Sequence, residues 1–385
     1  MNRAIVALVV VVVSVAVPLL SPPAWAVDRT FSGSAQLDYL FVPTEKGANA
    51  SAIGFDGFTT EANVKVAADI SQHLSANVKL CYGCHGFEAD MAYFDYRVRD
   101  ELNIRVGRFS PSFGAFNVRH DPANHGLSDK PLPYDMGRML RRTDWNEGVL
   151  PSPFPDNGIE VNGTHWFGEW AQLDYAAYLV SGFKASENAL DLDFVQSRST
   201  YYVDNNSRPT GGGRASLTLT LSKTSDATLG ASGMYGTFDP MNRLTYGIFG
   251  GDFSMRFGQT NLRMEYLVRR QEFDTSDASL FKYPIASKDG NFFLKHGAYI
   301  ELEQPVSGRV TMLGRIDGLY RDGNVAATSE LLRRSDVGRA TFGSLFTIER
   351  GLRVKASTEV YKFSDVDPNG RTVEVGFHLA FVGVF

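Results

Sequence analysis

Apolar and polar side chains alternate with a period of two along most of the chain after residue 27. In residues 58–70, Phe, Thr, Ala, Val and Ile occupy the even positions, and Thr, Glu, Asn, Lys and Asp occupy most of the odd ones. Residues 260–270 and 352–360 repeat the pattern with Arg and Glu on the polar side. A period of two is typical of β-strands with one apolar and one polar face. The segments run to about 9–14 residues, the length of strands that cross a bilayer.

The connections between these segments differ in length on the two sides of the predicted sheet. About sixteen strands fit between residues 30 and 385. Short turns alternate with long connections, of which the longest are 111–156, 182–211, 274–290 and 322–337. A soluble β-sandwich also alternates, but short turns on one side and long loops on the other are typical of bacterial outer-membrane barrels. We therefore predict an all-β fold, a transmembrane antiparallel β-barrel with short periplasmic turns and long extracellular loops.

The last strand supports this fold class. Apolar residues alternate from Val373 to Phe381, and the chain ends at Phe385. This ending is similar to the C-terminal signature of outer-membrane barrels, which the barrel assembly machinery recognises. The similarity implies that the assembly machinery and outer-membrane lipid are partners of the protein.

The N-terminal segment is predicted to be a signal peptide and not part of the barrel. Arg3 precedes an apolar stretch at 4–17, and Ala24-Trp25-Ala26 forms a small-x-small cleavage site. Residues 1–26 are therefore expected to be removed, so that the barrel comprises residues 27–385. The expected location is the outer membrane of a Gram-negative bacterium.

Composition and charge exclude several other classes. The 385 residues carry a formal net charge of −5, whereas a nucleic-acid-binding domain is usually basic. Two cysteines are too few for a disulfide scaffold. No stretch after the signal peptide has 18 consecutive apolar residues, as a membrane-spanning helix would.

A barrel of sixteen strands is wide enough to enclose an aqueous lumen. The polar positions of the strands are predicted to face this lumen and supply the candidate pore-lining residues Lys65, Lys79, Arg97 and Arg105.

The longest connection, residues 110–157, is expected to fold inward and narrow the pore or to stay outside, because loops of this length are functional or disordered. It contains three arginines that either contact anionic solutes or form a solvated basic patch: Arg138, Arg141 and Arg142. It also contains a weak candidate metal site, formed by His120, Asp121 and His125.

Two runs around a tight turn resemble a known family. Residues 94–97 (Phe-Asp-Tyr-Arg) lie in one predicted strand, and residues 107–114 (Gly-Arg-Phe-Ser-Pro-Ser-Phe-Gly) follow the next turn. This sequence is similar to the phosphate-selective O/P porin family. The resemblance implies a sixteen-stranded homotrimeric channel for small solutes. Pro111 and Ser112 depart from the family's usual ending, and its arginine ladder has no match, so the resemblance extends to the channel architecture more than to phosphate selectivity.

One motif is foreign to an ordinary porin. Cys81-Tyr82-Gly83-Cys84-His85 has the spacing of a c-type haem attachment site, in which two thiols bond the haem and the histidine binds iron. The motif predicts one covalent haem c on Cys81 and Cys84, with His85 as the proximal iron ligand. Candidates for the sixth iron ligand are Met91, His120, His125, Met136 and Met139.

The sequence leaves three functional hypotheses open. The first is a haem-carrying porin that transfers electrons or senses redox state at the outer membrane, with partner cytochromes needed to carry electrons across it. The second is an ordinary passive porin with a Cys81–Cys84 disulfide and no haem, for which the family resemblance suggests anions or phosphate as solutes. Zinc at this motif is a poorer fit because one histidine and two thiolates leave its coordination open. The third is a barrel enzyme, which we do not expect because the sequence has no Gly-x-Ser-x-Gly motif.

Overall fold

The structure of the protein is a computed structural model. It describes residues 28–43, 57–83, 86–135, 148–185, 192–193, 197, 204–274, 290–326, 328, 336–364 and 370–385. The predicted signal peptide lies outside the described residues.

Sixteen antiparallel strands within the described residues close into one barrel. They are β1 (Asp28–Phe41), β2 (Gly57–Asp69), β3 (Leu74–Gly83), β4 (Gly86–Arg99), β5 (Leu102–Phe109), β6 (Asp156–Phe167), β7 (Ala171–Val180), β8 (Thr210–Ser222), β9 (Ser225–Thr237), β10 (Thr245–Phe257), β11 (Thr260–Glu272), β12 (Phe292–Pro305), β13 (Val310–Gly323), β14 (Val337–Glu349), β15 (Leu352–Phe363) and β16 (Val373–Val384). Each strand pairs with its neighbours in the chain, and β1 pairs with β16 to close the barrel. The predicted fold class is confirmed.

The period of two in the sequence explains which face of each strand lies inside. In β1, the polar residues Ser34, Gln36 and Asp38 are buried inside the barrel, whereas Leu37 and Tyr39 are exposed on its outer surface. Polar residues therefore face the lumen and apolar residues face outward, the reverse of a soluble protein and the arrangement of a barrel in lipid.

One end of the barrel, which we call the short-turn end, carries the tight connections. They include residues 70–73 between β2 and β3 and residues 100–101 between β4 and β5. Gly258 and Gly351 lie in two further turns of this end and have φ values of 61° and 88°, a conformation that glycine adopts without steric cost. The opposite end carries the long connections, except that β3 and β4 are joined by residues 84–85 alone.

The described connections contain little regular structure. Three single 3-10 turns lie in the connection between β5 and β6: Asn117–Arg119, Pro122–Asn124 and Leu132–Tyr134. A two-residue ladder, which the sequence did not predict, pairs residues 184–185 with 192–193. No helix in the described part of the chain is long and apolar enough to cross a membrane.

Candidate functional site

The connection between β5 and β6, which we call the inner loop, lies inside the barrel. It comprises residues 110–155, of which 110–135 and 148–155 are described. Its backbone amides donate hydrogen bonds to side chains of distant strands: Ser112 to Glu160 (2.9 Å), Gly114 to the Ser232 hydroxyl (2.9 Å) and Leu132 to Asp317 (2.9 Å). Since these acceptors belong to β6, β9 and β13, the inner loop crosses the lumen and is fixed to several parts of the wall.

Glu265 on β11 is the centre of one of these attachments. Its carboxylate accepts hydrogen bonds from the backbone amides of Ala115 (2.9 Å) and Phe116 (3.3 Å). It also accepts from the hydroxyls of Tyr134 and Tyr299, the latter at 3.2 Å. Burial and the neighbouring carboxylate raise the pKa of Tyr134, so this hydroxyl remains a donor. Four donors compensate the burial of the Glu265 carboxylate.

A second attachment is formed by Arg339 on β14. Its guanidinium group donates to the carboxylate of Asp129 (2.9 Å) and to the carbonyl of Lys130 (2.6 Å), both in the inner loop. It also donates to Asp317 at 2.6 Å and 3.0 Å. The side chain is fully buried, so this ion pair is shielded from water and salt.

A third attachment joins the inner loop to the seam between β16 and β1. The ammonium group of Lys355 on β15 donates to the carbonyls of Pro122 (2.8 Å) and Leu127 (3.0 Å). It also donates to the side chain of Gln36 on β1 (3.0 Å), whose amide nitrogen reaches the Ser128 carbonyl at 3.3 Å. The loop therefore spans the place where the barrel closes.

Glycines on the inner face of the wall make room for the loop. A Cβ on Gly297 would lie 2.8 Å from a Val149 methyl carbon and 3.0 Å from the Pro133 Cβ. By contrast, a Cβ on Gly314, whose position on β13 faces outward, would meet nothing within 4 Å. A larger residue at position 297 would therefore displace the inner loop.

Asp129, Glu359 and His378 form a buried group that sequence reasoning missed. One ligand atom of each lies within 4.8 Å of the others, a spacing that a metal ion would need. However, the Arg339 guanidinium lies 2.9 Å from Asp129 and 3.3 Å from Glu359, so a positive charge already occupies this position. His378 lies 2.8 Å from Asp38 on β1 and links the group to the seam. No sequence spacing brings these residues together, because they come from the inner loop and four strands.

Lys79 faces the lumen as predicted, but the inner loop covers it. Its ammonium group lies 3.0 Å from Asp90 on β4, 2.6 Å from Asp121 and 3.0 Å from a ring nitrogen of His120. Although burial opposes ionisation, His120 and Lys79 hold the pKa of Asp121 well below its usual range. Lys79 is only 3% exposed, so the prediction that it lines an open pore is wrong. It anchors the loop instead.

The predicted metal site in the inner loop does not form. His120 lies 3.2 Å from Asp121, but its other ring nitrogen contacts the Asn117 carbonyl at 2.6 Å. His125 instead contacts the Leu127 carbonyl at 2.8 Å. Burial, followed by nearby cations, holds the pKa of His125 well below its usual value, so this imidazole is neutral. Both ring nitrogens of His120 are therefore engaged with groups of the protein.

Only part of the predicted haem site lies within the described residues. Cys81 is half-buried and has no disulfide partner there. Its cross-strand neighbours are Asn63 and Glu88, both polar and buried. Met91 pairs with Lys79 across β3 and β4. Four of the haem-site and sixth-ligand residues lie outside the described part of the chain: Cys84, His85, Met136 and Met139.

A cavity of about 1080 Å³, which we call the vestibule, lies at the short-turn end. It is bounded by Asp28 of β1, by β2–β8, and by Ser112 and Val118 of the inner loop. The predicted pore-lining residues Arg97 and Arg105 contribute to its wall, whereas Lys65 is half-buried on β2.

Arg105 is held on the vestibule wall by contacts on two sides. Its guanidinium group lies 2.8 Å from Asp95 and 3.2 Å from Glu160, and 4.6 Å from the centre of the Tyr93 ring. The predicted arginines Arg138, Arg141 and Arg142 lie outside the described residues.

Comparison with solved structures places this geometry among known barrels. The structure is similar to the anion-selective porin of Comamonas acidovorans, with a TM-score of 0.55 and 12% identity over 93% of this chain and 100% of that one. The barrel has the fold of the outer-membrane porins. A complex of Salmonella typhi OmpF with daunomycin has a TM-score of 0.56 and 10% identity, covering 93% of this chain and 97% of its own. The trimer form of OmpT, an outer-membrane protein of Vibrio cholerae, has a TM-score of 0.52 and 8% identity, covering 94% of this chain and all of its own (100%).

Sequence comparisons are less informative. No family model matches the chain. An uncharacterised protein of Aquifex aeolicus is 28% identical over 98 residues, which is 26% of this chain. The chain covers 19% of the length of that relative.

Proposed function

We propose that the protein is a porin through which small polar solutes diffuse passively across the outer membrane of a Gram-negative bacterium. The observation that carries this proposal is a closed barrel with a polar interior, in which the inner loop fills one side and leaves the vestibule on the other. The wall of β11–β16 is covered by the loop, since Arg315, Arg339 and Lys355 are at most 2% exposed. The solute path therefore follows the wall of β2–β8.

The outer surface supports the proposed location. Large apolar side chains such as Leu229, Phe249 and Ile316 are exposed there and would contact lipid. At the seam, the backbone of Phe385 exchanges two hydrogen bonds with Gly33, at 2.9 Å and 3.1 Å. The terminal phenylalanine is therefore part of the closed barrel. We further propose a homotrimer, because a structural neighbour exists in a trimer form.

Reconstitution in planar lipid bilayers tests the channel directly. The folded protein, recognised by its altered gel mobility before heating, is expected to produce stepwise, stable current increments. The same preparation after heat denaturation serves as the control. Folded protein that inserts into vesicles but gives neither current nor solute-driven swelling would contradict the proposal.

The passive channel requires no haem, and the described surroundings of Cys81 do not fit one. The side chains nearest in register are Asn63 and Glu88, both polar and buried, whereas a cofactor pocket is lined mostly by apolar side chains. The haem at Cys81, Cys84 and His85 stays a prediction of the sequence motif alone. It is tested by the absorption spectrum and by peroxidase staining of a denaturing gel.

A further inference from the structure

We infer that the channel prefers small cations to anions, and that Asp174 on β7 is the residue that determines this preference. The inference rests on the proposed porin function, and it names the charge class of the solutes that the vestibule favours. Carboxylates and guanidinium groups lie close together on the vestibule wall. The sign of the electrostatic potential in the vestibule therefore depends on which of these groups are neutralised by an ion-pair partner.

The two arginines deep in the vestibule are neutralised. Arg105 lies between Asp95 and Glu160, at 2.8 Å and 3.2 Å. Arg214 on β8 forms a two-pronged ion pair with Asp252, one contact of which is 2.9 Å. A guanidinium group that is paired in this way presents little net positive charge to a passing solute.

Asp174 differs from these residues because all its partners are neutral. Its carboxylate accepts hydrogen bonds from the Gln172 side-chain amide at 2.8 Å and 2.9 Å and from the Thr164 hydroxyl at 2.6 Å. No cationic group in the described part of the chain lies within ion-pair distance of it. These donors fix the orientation of the carboxylate without cancelling its charge, and the side chain lines the vestibule.

The remaining charged residues of the vestibule are Asp28, Asp69, Arg97, Arg99 and Asp100. They are exposed to solvent, where salt screens them strongly. Three of these five residues are carboxylates. Among all charged residues of the vestibule, the carboxylates Asp28, Asp69, Asp95, Asp100, Glu160 and Asp174 outnumber the arginines Arg97, Arg99, Arg105 and Arg214. These exposed charges therefore add to the negative potential of Asp174 and do not reverse it.

The size of the effect follows from Coulomb's law. A unit charge about 7 Å from a monovalent ion in water changes the local concentration of that ion roughly two- to threefold. Cations are enriched and anions depleted, so removing the charge lowers the cation-to-anion permeability ratio about fourfold at low salt. The effect shrinks as ionic strength rises.

Reversal potentials measured across a KCl gradient test the inference. The wild-type channel is expected to be cation-selective, and Asp174→Asn to lower the K⁺-to-Cl⁻ permeability ratio about fourfold. Gln172→Lys keeps a hydrogen-bond donor beside Asp174 and adds a compensating positive charge, so it is also expected to lower the K⁺-to-Cl⁻ permeability ratio. Asp322→Asn is the matched control, because Asp322 is exposed at the other end of the barrel and should leave the ratio unchanged.

The outcomes separate the inference from the proposed function. A conducting wild-type channel that is unselective or anion-selective would overturn the inference, as would an unchanged ratio in both vestibule variants. If Asp174→Asn does not fold, as judged by its gel mobility, Gln172→Lys alone decides. Absence of any current from folded wild-type protein would instead remove the proposed porin function.

Discussion

Replacing Glu265 by alanine is the most direct test of how the inner loop is held. The substitution removes the acceptor of four hydrogen bonds, donated by the amides of Ala115 and Phe116 and the hydroxyls of Tyr134 and Tyr299. All four donors lie inside the barrel, and Tyr134 is completely buried. They can regain partners only if the loop moves far enough to admit water.

The magnitude follows from the number of donors left without a partner. Each buried donor that loses its acceptor costs about 1–3 kcal/mol. Movement of the loop relieves part of this cost, so we expect a loss of about 3–6 kcal/mol in the stability of the loop attachment. The barrel wall keeps its strand pairing, because Glu265 contributes to it only through its backbone. The loop should therefore loosen while the barrel stays closed.

Unitary conductance and the temperature of heat modification measure these two consequences. Glu265→Ala is expected to raise the unitary conductance and its open-channel noise, while the folded barrel remains detectable on gels. Glu303→Ala is the matched control, since Glu303 pairs with Arg263 on the wall at 2.6 Å and has no hydrogen bond or ion pair with the described residues of the loop. Equal conductance and noise in wild type, Glu265→Ala and Glu303→Ala would refute the reasoning that these bonds hold the loop in the lumen.

Three further predictions concern the loop and the cysteine motif. Gly297→Val is expected to displace the inner loop and alter the unitary conductance. Gly314→Val, at an outward position with free space, is the control and is expected to leave the conductance unchanged. Equal single-channel records from the two variants would contradict the prediction. The pKa of Asp121 is lowered in the folded state, so its pair with Lys79 stabilises the loop above the unfolded pKa of about 3.9 and loses this contribution as the pH falls below it. The temperature at which heating changes the gel mobility should therefore fall more on acidification in wild type than in Asp121→Asn. The same pH dependence in both proteins would contradict a stabilising Asp121–Lys79 pair. Protein produced with the haem-maturation machinery is expected to show no covalent haem band; a band with a low-spin spectrum that His85→Ala abolishes would establish haem attachment instead.

The channel architecture was predictable because alternation is a local property of the chain. A strand that separates lipid from water must place every second side chain on the apolar side, and this requirement is visible within about ten residues. For the same reason Arg97 and Arg105 could be assigned to the lumen from parity alone. Lys79 has the same parity, but the inner loop covers it. Its contact there is Asp121, which is 42 residues away, so the local pattern does not reveal that Lys79 is buried.

The sequence alone determined the strands, the closed barrel and the polar character of its interior, because each follows from the residues of one strand and its turn. Only the tertiary structure decided which charges remain open to a solute. Glu265 meets Phe116 across 149 residues, and Arg339 meets Asp129 across 210, so no local pattern records these contacts. Asp174 on β7 and Arg105 on β5 look alike as polar positions on two strands of the same wall, and the difference between them lies entirely in their partners. The partner of a buried charge is set by how the strands and the inner loop come together in space.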